Sequence, residues 1–472
     1  MVTFDIEEKV LPKVSINIGA LLDVPTSVII TGAKGESIYN GGLGPITAIV
    51  GTGNNFKSTI MHYMMLSAAN RVFEATPTQM ISYDTEMNMS LERLETLADK
   101  FDHIPKNPIQ GDNRAWTLTD KSLVAGNDWA VKINKYIDEK QKDKGSQSTY
   151  TPFRDPYTKK ELSMPTPTFV EIDSLSEFEA KSSMDMLSKD LDSSETNTFA
   201  MKQGLFKSKF LSTVPGLAIS SNTFFLITAQ LGEKNEMKSG PAMFQQPFKN
   251  LQYLKQGEHI KGVSPKFFFL THNAWYAHTA KLLINSGTNL PEFPLDSSDN
   301  QRTDLNIVKL TQLRGKNGPS GFTLSLVVSQ TEGVLPSLTE FYHIKENGKF
   351  GIDGNDRSYH LDLYPDVNLS RTTVRSKLNT DPLLRRAVNI TSELLQIDMF
   401  HKQIALQGLM CSPKELYEDI KKLGYDWNVL LNTRGYWTID QYTNPVPYLS
   451  TVDLLRMRKG LYEPYWLKKD KK

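Results

Sequence analysis

The chain is 472 residues long, enough for two or three domains with a substantial core. Its 54 basic and 53 acidic residues balance, so no global field marks a nucleic-acid binder and any basic binding surface has to be local. One cysteine, Cys411, excludes a disulfide framework and a cysteine-rich metal site, and without a cationic leader or a long apolar run the chain is expected to be soluble and cytoplasmic, with no membrane partner.

Residues 1–43 read as a lead-in segment in which the β-type runs 27–31 and 37–39, separated by a glycine-rich turn, make a hairpin. Then comes GPITAIVGTGNNFKSTI, residues 44–60: an apolar, β-branched run ending at Gly51, a short loop, and a helical pattern opened by Lys57-Ser58-Thr59. Strand, loop and helix in that order form a phosphate cradle. Backbone N–H groups of the loop and helix start converge on the anion, a lysine reaches the outer phosphates, and the next hydroxyl holds magnesium. Gly51, Thr52, Gly53, Asn54, Asn55, Phe56, Lys57, Ser58 and Thr59 are therefore the expected nucleotide contacts, with Phe56 standing where a P-loop usually has its second glycine. The plainer reading is a strand-to-helix turn with a surface lysine.

A second strand, 79–83, runs into Asp84-Thr85-Glu86, and Ser90 is placed to cap the helix after it. A carboxylate at the carboxyl end of a strand beside the loop strand lies where open α/β sheets bind ligands, so Glu86 is the candidate to activate an attacking water. Its plainer reading is a helix-start carboxylate. A polar helix near 121–142 leads into an exposed insertion at 143–165 with a hairpin at FRDPYTKKEL. The apolar strand 168–172 ends in Asp173-Ser174, which has the form of a Walker B element, with Asp173 positioning the magnesium ion; its plainer reading is a strand-terminal aspartate capping the next element.

A strand at 223–229 ends in Gln230, an amide placed to feel the outer phosphate. The long aperiodic stretch after it carries Lys234, Lys238, Lys249, Lys255 and Lys261 among Phe244, Phe248 and Tyr253, a mixture suited to single-stranded nucleic acid through phosphate pairing and base stacking. A plain surface loop is the alternative. A strand is expected at 279–284. Residues 305–329 are expected to form a hairpin whose turn carries Arg314 and Lys316, cations able to reach a neighbouring protomer's nucleotide or to be a solvated basic turn. From about residue 365 the pattern becomes helical, with no catalytic constellation.

GTGNNFKST, YDTE, FVEIDSLSEF, FFLITAQ and TQLRGKNGPSG follow the order and spacing of the RecA-type core ATPases, and over about residues 15–345 the chain resembles most closely the phage recombinases of the UvsX type. In those the loop similarly ends in Phe-Lys-Ser and the Walker B strand in Ile-Asp-Ser-Leu. The resemblance implies an α/β fold: a RecA-like core at 44–360 with a twisted, mostly parallel sheet flanked by helices, and a small helical domain at 361–472. It implies ATP and Mg²⁺ as cofactors, with Lys57 and Ser58 on phosphate and metal. Glu86 becomes the catalytic carboxylate, Asp173 the Walker B residue, Gln230 the sensor, and Arg314, then Lys316, the cations acting in trans. The implied activity is that of a DNA-dependent ATPase and recombinase, forming homo-oligomeric filaments on single-stranded DNA in an infected bacterial host, with single-strand-binding and loader proteins as partners. The alternative is a hexameric replicative helicase of the DnaB type, whose hairpin QLRGKNGPSG also approaches.

Overall fold

The structure, a computed structural model, describes residues 12–143, 148–179, 193–233, 253–254, 258–261, 263, 266–295 and 302–467. In chain order, β1 (Val28–Thr31) and β2 (Ser37–Asn40) pair as the expected antiparallel hairpin, followed by β3 (Ile46–Gly51), α1 (Lys57–Phe73), β4 (Gln79–Asp84), α2 (Leu91–Ala98), β5 (Trp116–Asp120) and α3 (Gly126–Lys142). β6 (Ser148–Arg154) and β7 (Glu161–Pro165) form the insertion's hairpin. Next come β8 (Thr168–Asp173), α4 (Ser193–Ser221), β9 (Thr223–Glu233), β10 (Glu258–Ile260), α5 (Lys266–Leu270), β11 (Asn273–Ala277), β12 (Lys281–Leu282), β13 (Leu305–Gly315), β14 (Thr323–Ser329) and β15 (Gly333–Val334). The remainder holds α6 (Pro336–Glu346), the meander β16 (Ile352–Asn355), β17 (Ser358–Leu361) and β18 (Tyr364–Leu369), and the helices α7 (Val374–Thr380), α8 (Pro382–Phe400), α9 (Lys402–Leu406), α10 (Pro413–Lys422), α11 (Trp427–Leu431) and α12 (Thr451–Arg458).

The main sheet runs β15-β14-β13-β11-β3-β9-β8-β4-β5, with β10 added to β9 and β12 to β13. From β11 to β5 every neighbouring pair is parallel, and β13 to β15 are antiparallel. Such parallel strands are buried on both faces, which is why they read as unbroken apolar runs. In β3, Ile49 turns to one face, packing with Met61, Met64 and Met65 of α1 and Leu94 and Leu97 of α2. Ile46, Ala48 and Val50 turn to the other, against Trp129 and Ile133 of α3 and Phe210 and Val214 of α4. The period of two thus sorts one strand between two helical layers, giving an α/β sandwich with a mostly parallel sheet at its centre.

Two strands differ from the sequence-based expectation. The strand expected at 279–284 is reduced to the two-residue β12, and the strand that enters the sheet is β11, between β3 and β13. Its Trp275 is 1% exposed; burial of that ring holds the short segment in the sheet's interior. The meander β16–β18 also occupies a stretch whose glycines and aspartates carry no strand pattern, and residue 360 falls inside β17.

A third core gathers α6, α8, α10 and α12 with Leu305, Ile307 and Val327 from β13 and β14. Lead-in and C-terminal residues meet there: the Asp453 carboxylate accepts Ser37 N–H at 2.9 Å, and buried Glu36 accepts the Tyr442 hydroxyl at 2.6 Å. Among the described residues no helix is long and apolar enough to cross a membrane.

Candidate functional site

Because β3, β9, β8 and β4 are adjacent, parallel and in register, with Gly51 beside Gln230 and Asp84 beside Asp173, their carboxyl ends form one row of side chains. That edge is where ligands bind in open α/β sheets. Gly51 begins the loop under tight constraint: a Cβ there would lie 2.6 Å from both Ala277 O and Asn55 Nδ2. Buried Asn55 donates to Ala277 O at 2.7 Å, fastening the loop to β11. Thr52, Gly53 and Asn54 are exposed at the crest. Asn54 and Phe56 adopt φ of 55° and 59°, the left-handed region where glycine is at ease, and the Phe56 ring packs against the core under α1. A missing glycine is thus compensated by anchoring of the ring that replaces it. Thr59 borders a cavity of about 380 Å³ with Tyr63 and Leu66 of α1, Leu97 of α2 and Leu338 of α6.

Lys57 folds back into the loop, donating to Thr52 O and, at 3.1 Å, to Asn55 Oδ1. Burial lowers its pKa from the ordinary value, while Asp173 and Glu86 act in the opposite direction. Asp173 is 3% exposed, and burial raises its carboxyl above the ordinary value although the Ser58 and Thr228 hydroxyls donate to it. Sequence reasoning missed Thr228; its signal was a lone hydroxyl inside the apolar run of β9. Ser58 and Asp173 make a hard oxygen pair suited to Mg²⁺, an ion held by one or two protein oxygens with phosphate and water completing its shell. The carboxyl, its pKa raised by burial, is an oxygen ligand that fits that assignment. The loop offers a polyphosphate the Lys57 ammonium, which bonds to the loop's own oxygens Thr52 O and Asn55 Oδ1.

Glu86 lies in the same row. Its Oε1 accepts Gln230 Nε2 at 3.0 Å and Ser174 Oγ at 3.1 Å. The turn presenting it is built by Asp84, whose carboxylate accepts the N–H groups of Glu86, Met87, Asn88 and Met89 at 2.8–2.9 Å. Four backbone donors on one carboxylate fix the loop that aims Glu86. Gln230 is held by its N–H to Ser176 Oγ, 2.9 Å. The Asp173-Ser174 peptide is cis, and Thr85 N–H donates to Asp173 O at 2.7 Å. Behind α1, His62 contacts the fully buried Glu171 at 3.1 Å, and Ser82 donates to the same carboxylate at 2.7 Å. Burial alone would lower the His62 pKa, but Glu171 raises it above the ordinary value.

The structure thus brings together Gly51 to Thr59, Glu86, Asp173 and Gln230, and leaves Arg314 and Lys316 apart. β11 runs parallel to β3 and β13 runs back, so Leu310 pairs with Ala277 beside the loop while Gly315 pairs with Asn273 at the sheet's far end. Arg314 stacks over the Phe269 ring, 5.4 Å to its centroid. Burial, then Lys316, Lys13 and Arg314, hold His272 down to about 3, and both its ring nitrogens lack partners among the described residues. Lys13 is a further residue that sequence reasoning missed, and His272 is buried rather than a ligand.

Of the lysines expected to meet nucleic acid, Lys234, Lys238, Lys249 and Lys255 lie outside the described residues. Lys261 is exposed, and its N–H donates to Gln230 O at 2.9 Å, so it stands at the root of that stretch beside Gln230. Tyr253 lies against Gly321 in the β13–β14 turn, where an added Cβ would come within 2.3 Å of its ring.

No family model matches this chain, and no curated protein sequence matches it significantly.

Proposed function

We propose that this chain is a RecA-like, DNA-dependent ATPase that assembles head to tail on single-stranded DNA and acts as a recombinase. What supports the reading is the division of polar and charged residues between two ends of one sheet: Lys57, Ser58, Glu86, Asp173 and Gln230 at one, Arg314 and Lys316 at the other. A protomer stacked on the next presents its far-end cations to the neighbour's loop, and such an interface repeats as a helix or closes as a ring.

ATP supplies the scissile phosphoanhydride and Mg²⁺ the charge neutralisation at its outer phosphates. Lys57 and the backbone N–H groups from Gly51 onward hold the phosphates, and Ser58 with Asp173 holds the metal. Glu86 takes a proton from water, steadied by Ser174 and Gln230. Arg314 of the next protomer stabilises charge on the phosphoryl group in transit, with Lys316 beside it. Gln230 joins this chemistry to the stretch rooted at Lys261, so that the nucleotide state sets DNA affinity.

Electron microscopy of the protein with single-stranded DNA and a non-hydrolysable ATP analogue tests the reading. Open helical filaments that the Lys57→Ala variant fails to form are expected. Closed six-membered rings would transfer the same site to a replicative helicase, the reading that the QLRGKNGPSG turn favours. No assembly on DNA would overturn both.

A further inference from the structure

The opposite ends of β4 and β8 hold a second polar site. Gln79 and Thr168 pair at that end, five residues from the Asp84–Asp173 pair, which places it about 17 Å from the carboxylate row. A cavity of about 350 Å³ opens there between α3 and the β6–β7 hairpin, lined among others by Thr76, Thr78, Gln79, Tyr136, Thr166 and Thr168. That volume is within the range of small-ligand pockets.

Behind its wall lies Lys140, 6% exposed, donating to Thr168 Oγ1 at 2.9 Å. Burial alone lowers its pKa to about 7, and among the described residues no charged neighbour offsets it. A cation in the last turn of a helix is favoured by the helix dipole, but Lys142 supplies that from an exposed position without the cost of burial.

The hydrogen count gives the site its sign. Thr168 Oγ1 receives an N–H from Lys140 and lies 3.2 Å from Tyr136 Oη. When both hydroxyls turn from each other to an acceptor in the cavity, the pair offers it two O–H hydrogens, and the ammonium keeps two N–H hydrogens. Thr78 is turned away, donating to Pro167 O. The cluster is therefore rich in donors, holds an amine that is positively charged below about pH 7, and borders an open cavity.

We propose that this cavity binds the phosphate group of a small molecule, with the hydroxyls of Thr168 and Tyr136 as donors and the Lys140 ammonium behind them as counter-charge. The site is independent of the nucleotide reading, because it uses none of the same residues.

Isothermal titration with inorganic phosphate, against sodium chloride at equal ionic strength, tests it in the Lys57→Ala variant, where the β3–α1 loop no longer competes. One phosphate per chain is expected, with binding lost in Lys57→Ala/Lys140→Met and weakened about tenfold in Lys57→Ala/Tyr136→Phe, for loss of one hydrogen bond. Tyr136→Phe keeps the ammonium and decides the matter where Lys140→Met fails to fold. No phosphate binding in Lys57→Ala, or undiminished binding in Lys57→Ala/Tyr136→Phe, would overturn the proposal.

Discussion

The Gln230 amide donates to Glu86 Oε1 at 3.0 Å across two parallel strands, β9 and β4, that are separated by β8. Glu86 is thereby fixed at the centre of the row, and Gln230 reports on whatever Glu86 contacts. Glu86→Gln should keep nucleotide affinity while lowering ATP turnover at least about a hundredfold, the usual contribution of a positioned base. Gln230→Ala should leave basal turnover within a fewfold and abolish its stimulation by single-stranded DNA. Steady-state hydrolysis with and without DNA measures both; full stimulation in Gln230→Ala would remove the amide from the coupling.

Arg314 and Lys57 occupy opposite ends of the sheet, so the proposed head-to-tail ATPase would draw one residue from each of two chains. Arg314→Ala and Lys57→Ala should each be inactive alone. Mixed in equal amounts they should recover about a quarter of wild-type hydrolysis, the random fraction of interfaces pairing an intact loop with an intact arginine. A mixture as inactive as its components would place the arginine's role elsewhere.

Phe56 inverts the usual order of truncation. At φ 59° an alanine keeps the left-handed backbone cost and loses the ring, whereas a glycine loses the ring but removes the cost. Phe56→Gly should therefore be more stable than Phe56→Ala by about 1 kcal/mol, the reverse of an ordinary site. Urea midpoints of the two variants check the order.

Much of this row was legible because each piece is local. Strand, loop and helix from Ile46 to Phe73 follow one another, and Asp84, Asp173 and Gln230 each stand at or next to the end of an apolar run, so the chain's own punctuation marks them. What escaped depends on distant partners. β11 is five residues long and follows the aromatic run of α5, so its period is hidden; only pairing with β3 and β13 makes it a strand. The hairpin bearing Arg314 was readable, but its placement at the far end follows from the register of Gly315 against Asn273, which no local pattern encodes. Thr228 and His272 matter through neighbours found only in space.

Glu340 sets a pH dependence away from the site. On α6 and 5% exposed, it accepts Asn389 Nδ2 at 3.0 Å, and burial, with Glu393 and Asp23 nearby, raises its pKa from 4.5 to about 8. The folded chain keeps this proton over a range in which the unfolded chain has released it. Its contribution is full below about pH 4.5 and is lost as pH rises to about 8. Glu340→Gln should flatten that window and be more stable than wild type at pH 8, by on the order of 3 kcal/mol. Denaturant midpoints from pH 4.5 to 8 measure it; an unchanged slope would assign the dependence to other groups.

The bond from Asn55 to Ala277 joins residues 222 apart, and both neighbours of β3 come from after residue 222. During synthesis the loop strand therefore leaves the ribosome long before anything exists for it to pair with, an interval of about 9–36 s until β9 is made at ordinary elongation rates. A nascent chain truncated before β9 exposes an unpaired apolar ribbon, the kind of surface holdase chaperones recognise. The loop reaches the conformation fastened by Asn55 only once Ala277 has been made and has reached it.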